Sequence, residues 1–470
     1  MNADVIPITV GALTVLVALI LMAQPIWVAL AAAGGIGLLL LDGMDVAASA
    51  VGADAFNATA SYALVIIPMF VLMGVLAGKA GLAEDLFTIS ERLTHRLPGG
   101  LGIATIVACG GFAAVTGSSS ATVATVGRIA VDQMTSRGYK PNSAAALVAL
   151  GGTLGVLIPP SIIIVVFASM TGLSVGKLLI ACVIPAIITI IVYSVTVMIM
   201  YKRGKLTVPG FATESIPARL VERQLAASRS TALLTKPAKL EAPAVSRKHV
   251  VGSLYVAVIF LVAIGGMYAG LFTATESGAV AAFVALAILF IRVVPKGWRR
   301  TWTDVKDAVI DAGGLSAMIF ALLAGGAIFA YFLVKTGLPN QLVRTITSSD
   351  LSPMVVVIIS LVMMLILGCF LDSISIMVIV IPLLWPILDT MGVDGVWYCI
   401  LVVKAIEIGL VTPPFGINVF VASGLRKDIT PEGVFRAVLP MVLAEFVVIA
   451  ILLLFPDLVT FLPNLSAVTE

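Results

Sequence analysis

Apolar residues run along this chain in long stretches, near 5–22, 26–41, 62–78, 101–116, 143–172, 177–200, 251–270, 274–294, 309–334, 353–371, 395–422 and 437–462. Runs of about 18 or more apolar residues are long enough to cross a bilayer core as helices. The pattern therefore predicts many spans, not one anchor. Most stretches are rich in Gly, Ala, Ser and Thr, which let helices approach closely in lipid. The first, MNADVIPITVGALTVLVALILMAQPIW, lacks a basic leader and a small-residue cleavage site, so it reads as a retained helix.

Composition agrees. The chain is 60% hydrophobic and 11% charged, with a mean hydropathy of +1.15. A soluble chain of this length carries roughly 25% charged residues, and its surface would stay wet only with that many. Cys109, Cys182, Cys369 and Cys399 all fall inside apolar stretches without pairing or metal spacing, and read as small buried hydrophobes. His95 and His249 lie among basic loop residues and do not read as metal ligands. A net charge of +3 gives no case for nucleic acid as a partner.

The placement of charge matters more than its sum. Segment 201–250 carries Lys202, Arg203, Lys205, Arg219, Arg223, Arg229, Lys236, Lys239, Arg247 and Lys248 against Glu214, Glu222 and Glu241. The positive-inside rule puts it in the cytoplasm, as a partly disordered linker with one helix around 215–229. The basic loops at 296–306 and 426–436 agree, whereas 42–60, with Asp42, Asp45 and Asp54, is placed outside. Threading these constraints leaves both termini outside.

The linker separates two related halves. Gly155-Val156-Leu157-Ile158-Pro159-Pro160 and Gly409-Leu410-Val411-Thr412-Pro413-Pro414 both read G-x-x-x-P-P, 254 residues apart. The same displacement sets Gly138 on Gly392, Ser118 on Asp372 and Ser119 on Ser373. Each of the last pairs lies in a polar break of an apolar hairpin, TGSSSATVATVG at 116–127 and GCFLDSISIMV at 368–378. Connector 128–140 is basic (Arg128, Arg137, Lys140), whereas its counterpart 382–394 carries Asp389 and Asp394. The two should face opposite sides, making the repeat inverted and the hairpins re-entrant. Lys335 and Arg344 run against this mirror. Inverted repeats with helix breaks at the midplane are a transporter device.

A Pro-Pro pair in a spanning helix removes two backbone donors, and the freed carbonyls must face protein or a cavity. Backbone near Gly155 and Ile158, or Gly409 and Thr412, together with Ser118, Ser119, Ser120, Asp372 and Ser373, offers an oxygen-only shell that suits Na⁺. A carboxylate such as Asp372 costs about 2.5–3.5 kcal/mol at mid-helix, which makes it a functional candidate. It would bind a cation, carry a proton or pair with a helix end. Lys404 and Glu407, one turn apart, read either as an internal ion pair or, for Lys404, as a substrate contact. Glu276 reads as a helix cap, and Lys79, Lys177 and Arg292 as residues snorkelling from helix ends.

GFAAVTGSSSATVATVG, GYKPNSAAALVALGGTLGVLIPPSIIIVVFASMTGLSVGKLLIACVIP, GLFTATESGAVAAF and EIGLVTPPFGINVFVASG together resemble the large membrane subunit of tripartite ATP-independent periplasmic (TRAP) transporters. The resemblance spans nearly the whole chain. It implies an all-α integral membrane protein of the bacterial inner membrane, an inverted-repeat elevator with two re-entrant hairpins and two broken helices. It divides the chain into scaffold helices (1–100), a first transport-domain half and following helix (101–200), the linker (201–250), further scaffold helices (251–350), a second transport-domain half (351–425) and a C-terminal helix (426–470). It also implies Na⁺ coupling, a periplasmic substrate-binding protein, a small four-helix membrane subunit, surrounding lipid and a small organic anion as cargo. Carried over by motif, cation sites fall near Ser118, Gly155, Ile158 and Pro160, and near Gly368, Gly409, Thr412 and Phe415, and the polar hairpin tips add Ser119, Asp372 and Ser373. Substrate contacts fall at Ser120, Thr122, Asn418 and Lys404. The long linker and Lys404, where an apolar residue is expected, depart from the family pattern. A related elevator carrier for dicarboxylates without a binding protein is the alternative. An intramembrane enzyme would need a base that neither histidine supplies, and a passive channel fits paired hairpins less well.

Overall fold

Inside a bilayer no water satisfies the backbone, so each N–H and C=O has to bond within its own helix. The computed structural model of the protein describes residues 5–208, 245–348 and 351–465 and is helical, with no strand among them. The expected helix around 215–229 lies outside the described residues. Eight helical stretches among those described are long and apolar enough to cross a membrane.

The first half contains α1 (Val5–Leu21), α2 (Ile26–Asp42), α3 (Ile66–Lys79), α4 (Leu82–Thr94), α5 (Gly100–Thr116), α6 (Ser119–Ser136), α7 (Pro141–Leu157), α8 (Ile162–Thr171), α9 (Val175–Ala181) and α10 (Val183–Lys202). The second contains α11 (Arg247–Phe260), α12 (Ala274–Val293), α13 (Trp298–Thr336), α14 (Leu338–Ser348), α15 (Pro353–Gly368), α16 (Ser373–Thr390), α17 (Gly395–Gly409), α18 (Ile417–Ser423), α19 (Pro431–Leu454) and α20 (Asp457–Leu465). Helices α1, α2, α3, α12 and α13 pack into one group; α5–α8, α10 and α15–α19 form the other. The α2–α13 seam is close because Gly34 faces the Phe329 backbone and Gly325 the Trp27 carbonyl, with no room for a Cβ at either.

The repeat displacement holds helix by helix. α6 and α16 are both 18 residues long and start 254 positions apart, at Ser119 and Ser373. Gly138 and Gly392, paired by the same displacement, both turn with positive φ, 84° and 73°. Each hairpin turns at the expected break, through Gly117–Ser118 between α5 and α6 and through Cys369–Asp372 between α15 and α16. Each G-x-x-x-P-P interrupts a helix, between α7 and α8 and between α17 and α18.

Boundaries differ in places. Connectors 128–140 and 382–394 are mostly the last turns of α6 and α16, which run to Ser136 and Thr390. The single C-terminal helix of the sequence reading is two, because Phe455, ahead of Pro456, leaves helical geometry (φ −127°, ψ 72°). His249 stands in the first turn of α11, not in a loop. Glu276 caps α12, its carboxylate accepting from the Thr273 amide at 2.8 Å.

Candidate functional site

Each hairpin tip rests on the helix break of its own repeat. In the first, Ser118 is the N-cap of α6, and Gly155 lies so close to the Ser118 carbonyl that a Cβ would collide with it. Gly117 sits in the same way on the carbonyl of Pro160. Pro159 removes the N–H that would bond the Gly155 carbonyl, and Ile158 N–H is spent on Leu154 O at 2.8 Å. Pro160 likewise frees the Val156 carbonyl, which takes the Ser161 hydroxyl instead. Gly155, whose carbonyl has lost its helical donor, thus packs against the Ser118 and Ser119 backbone at the head of α6, next to their hydroxyl-bearing side chains. This hard-oxygen set fits Na⁺.

The second unit is built alike but bonded differently. Gly368 and Gly409 touch backbone to backbone. Gly409 O, freed by Pro413, accepts from Thr412 N–H at 3.1 Å, and Leu410 O, freed by Pro414, accepts from Asn418 N–H at 3.1 Å. Phe415 N–H donates to Cys369 O at 3.1 Å, and its ring meets Phe370. The Thr412 hydroxyl donates to Ile408 O at 2.6 Å. Asp372 is the N-cap of α16, accepting from Ile374 and Ser375 amides at 3.1 and 3.3 Å and from the Ser375 hydroxyl. Asp372 thus makes the helix-end pairing, one of its three readings.

A cavity of about 690 Å³ lies between the two tips, walled by Ser118, Ser119, Ser120, Asp372 and Ser373. It is lopsided. Along α6 it runs from Ser118 down to Arg128, about 15 Å of helix, whereas α16 contributes only Ser373 and Ile374. The outer helix group closes it with Gly74 and Lys79 of α3 and Asp311, Leu315 and Met318 of α13. Lys79 is ion-paired with Asp311 at 3.6 Å and Asp307 at 3.9 Å, so it belongs to the cavity and does not snorkel. Arg128 is exposed to the cavity and has no ion-pair or hydrogen-bond partner among the described residues. Arg128, Lys79 and Asp311 were not among the site residues expected from sequence; Arg128 was counted there only as a connector charge.

Three expected substrate residues stand off the cavity. Thr122 is buried, with its hydroxyl on Ser118 O at 2.8 Å and near that of Thr116 at 3.0 Å. Asn418 is buried against α7, its side-chain amide reaching Ala149 O at 3.4 Å. Lys404 is fully buried, with Nζ 2.6 Å from carboxylate oxygens of both Glu407 and Glu445 and a further bond to Thr189 at 3.3 Å. The structure thus gives Lys404 its ion-pair reading and adds a partner, Glu445, that lies 38 positions beyond Glu407. Arg292 also departs from the snorkelling reading: it is ion-paired with the buried Asp85 of α4.

Comparison with known proteins points one way. Residues 13–458 match the family described as the tripartite ATP-independent periplasmic transporter, DctM component. The C4-dicarboxylate TRAP transporter large permease protein DctM of Pseudomonas aeruginosa is 33% identical, covering 87% of both chains. Its namesake from Vibrio cholerae is 31% identical over 91% of this chain and 92% of its own. Among solved structures, the YdaH transporter of Alcanivorax borkumensis superposes with a TM-score of 0.58 at 12% identity, covering 87% of each chain, a likeness of fold.

Proposed function

This chain belongs to the DctM-component family of TRAP transporters and is a multi-pass membrane permease, and on that premise we propose that it imports a small organic anion by Na⁺ symport. The observation that carries the reading is the cavity between the two hairpin tips, with a guanidinium on its wall, Arg128, that has no partner among the described residues. An apolar-lined cavity with a free fork of N–H donors suits a carboxylate. The names of the relatives make a C4-dicarboxylate the leading cargo.

Gly155 O, Ser118 and Ser119 would hold Na⁺ at the first tip, where it would supply positive charge beside the bound anion. The second tip, with its freed carbonyls re-bonded, offers Asp372 as its charged oxygen donor. Ser120 orients the cargo from the first turn of α6, whose N-terminal dipole favours an anion. The group built on α5–α8 and α15–α19 would slide past α3 and α13, carrying both tips across the membrane as an elevator. A periplasmic binding protein would deliver the cargo, and a small membrane subunit would brace the outer helices in the inner membrane.

The test is uptake by the complex in liposomes, with Na⁺ replaced by K⁺ or choline at fixed pH. Uptake should collapse without Na⁺; undiminished transport would refute the coupling.

A further inference from the structure

We propose that the basic pocket where α11 begins and α12 ends binds the phosphate headgroup of an anionic phospholipid. Arg247, Lys248, Tyr255 and Arg292 line this pocket of about 290 Å³ with Val251 and Gly252. Its floor is preorganised. The Arg292 side chain is 11% exposed and is held by Asp85, itself 1% exposed, and Gly252 lies against the Asp85 carboxylate where no Cβ would fit. One carboxylate against three cations leaves two positive charges at the rim of the pocket, whose inner wall is apolar. Arg247 and Lys248 are exposed and make no ion pair among the described residues.

A free inorganic anion would use only this basic rim. What lies beside it suits a lipid. Leu254 and Val258 on α11, and Leu261 just past its end, are 59%, 37% and 64% exposed and stand at i, i+4 and i+7, an apolar stripe leading away from the pocket. Ile291, beside Arg292, is 60% exposed. Trp298 and Trp302, in the first turns of α13 just beyond, are 66% and 63% exposed, the placement of aromatic side chains at headgroup level. The pocket is therefore at the interface, with acyl-chain surface on one side and charge on the other. Basic pockets between spanning helices on the cytoplasmic face bind acidic headgroups in this way. The site is remote from the transport cavity and does not depend on how transport is coupled.

The full chain, purified in detergent and delipidated, would be titrated with spin-labelled phosphatidylglycerol and, separately, phosphatidylcholine carrying the same chains. Phosphatidylglycerol should bind about tenfold or more tightly, and Arg247→Gln with Lys248→Gln should erase that preference while leaving the Arg292–Asp85 floor intact. Arg299→Gln with Lys306→Gln removes the same charge from exposed positions outside the pocket and should keep the preference. No preference in the wild-type chain, or equal loss in both double variants, would overturn the site. Inorganic phosphate that displaces phosphatidylglycerol at equal concentration would overturn the lipid assignment in favour of a free anion.

Discussion

Arg128 and Lys404 show how differently two cations in apolar surroundings are used. Arg128 faces the cavity with no partner among the described residues, so its removal takes binding without unsettling the fold. Arg128→Gln should raise the KM for the anion about tenfold or more, the scale of a charge-assisted hydrogen bond, with normal expression. Arg128→Lys should recover only part, because the charge stays and the bidentate fork is lost. Uptake kinetics that do not change would remove Arg128 from the site. Lys404 is the reverse case, a buried ammonium shared by two carboxylates. Lys404→Met strands Glu407 and Glu445 and should lower stability by roughly 3–5 kcal/mol, read as a fall in melting temperature in detergent. Adding Glu407→Gln and Glu445→Gln should restore most of it. Half of this cluster was legible: the three-residue spacing of Lys404 and Glu407 marks a helical pair, whereas Glu445 arrives from another helix and leaves no local signal.

Among elements, the hairpins and breaks were legible because polar residues interrupt apolar runs, and the cost of a free carbonyl in lipid gives such interruptions a meaning. The extents of α6 and α16 were not, since a helix carrying Arg128, Asp132 and Gln133 looks like a connector until packing against α7 fixes it. The C-terminal split at Pro456 was hidden because apolar residues continue on both sides of it. The breaks also differ in a way no motif reveals. Pro159→Ala returns an N–H to the Gly155 carbonyl and should raise the Na⁺ concentration for half-maximal uptake several-fold. Pro413→Ala should do less, because Gly409 O is already bonded by Thr412 N–H. Equal effects of the two substitutions would mean that the freed carbonyl of the first break holds no cation.

At the scale of the molecule, near-equal halves enclose an unequal cavity, deep along the first hairpin and shallow at the second. The deep arm of that cavity lies along α6, the helix that runs into the basic connector. Cysteines placed singly at Ser136 and Thr390, both exposed helix ends, in a background lacking the native four, should react with an impermeant reagent from opposite faces. Labelling of both from one face would end the inverted-repeat reading. The unbroken register between the halves carries a consequence for what such a chain can inherit. One residue gained or lost within α16 turns everything beyond it by about 100°, taking Gly368 out of line with Gly409. The length of each hairpin arm is then frozen against insertion and deletion, however freely its side chains drift. One alanine inserted after Val380 should abolish uptake in a chain that still reaches the membrane, whereas one glycine inserted after Gly270, in the turn before α12, should pass unnoticed in the same assay.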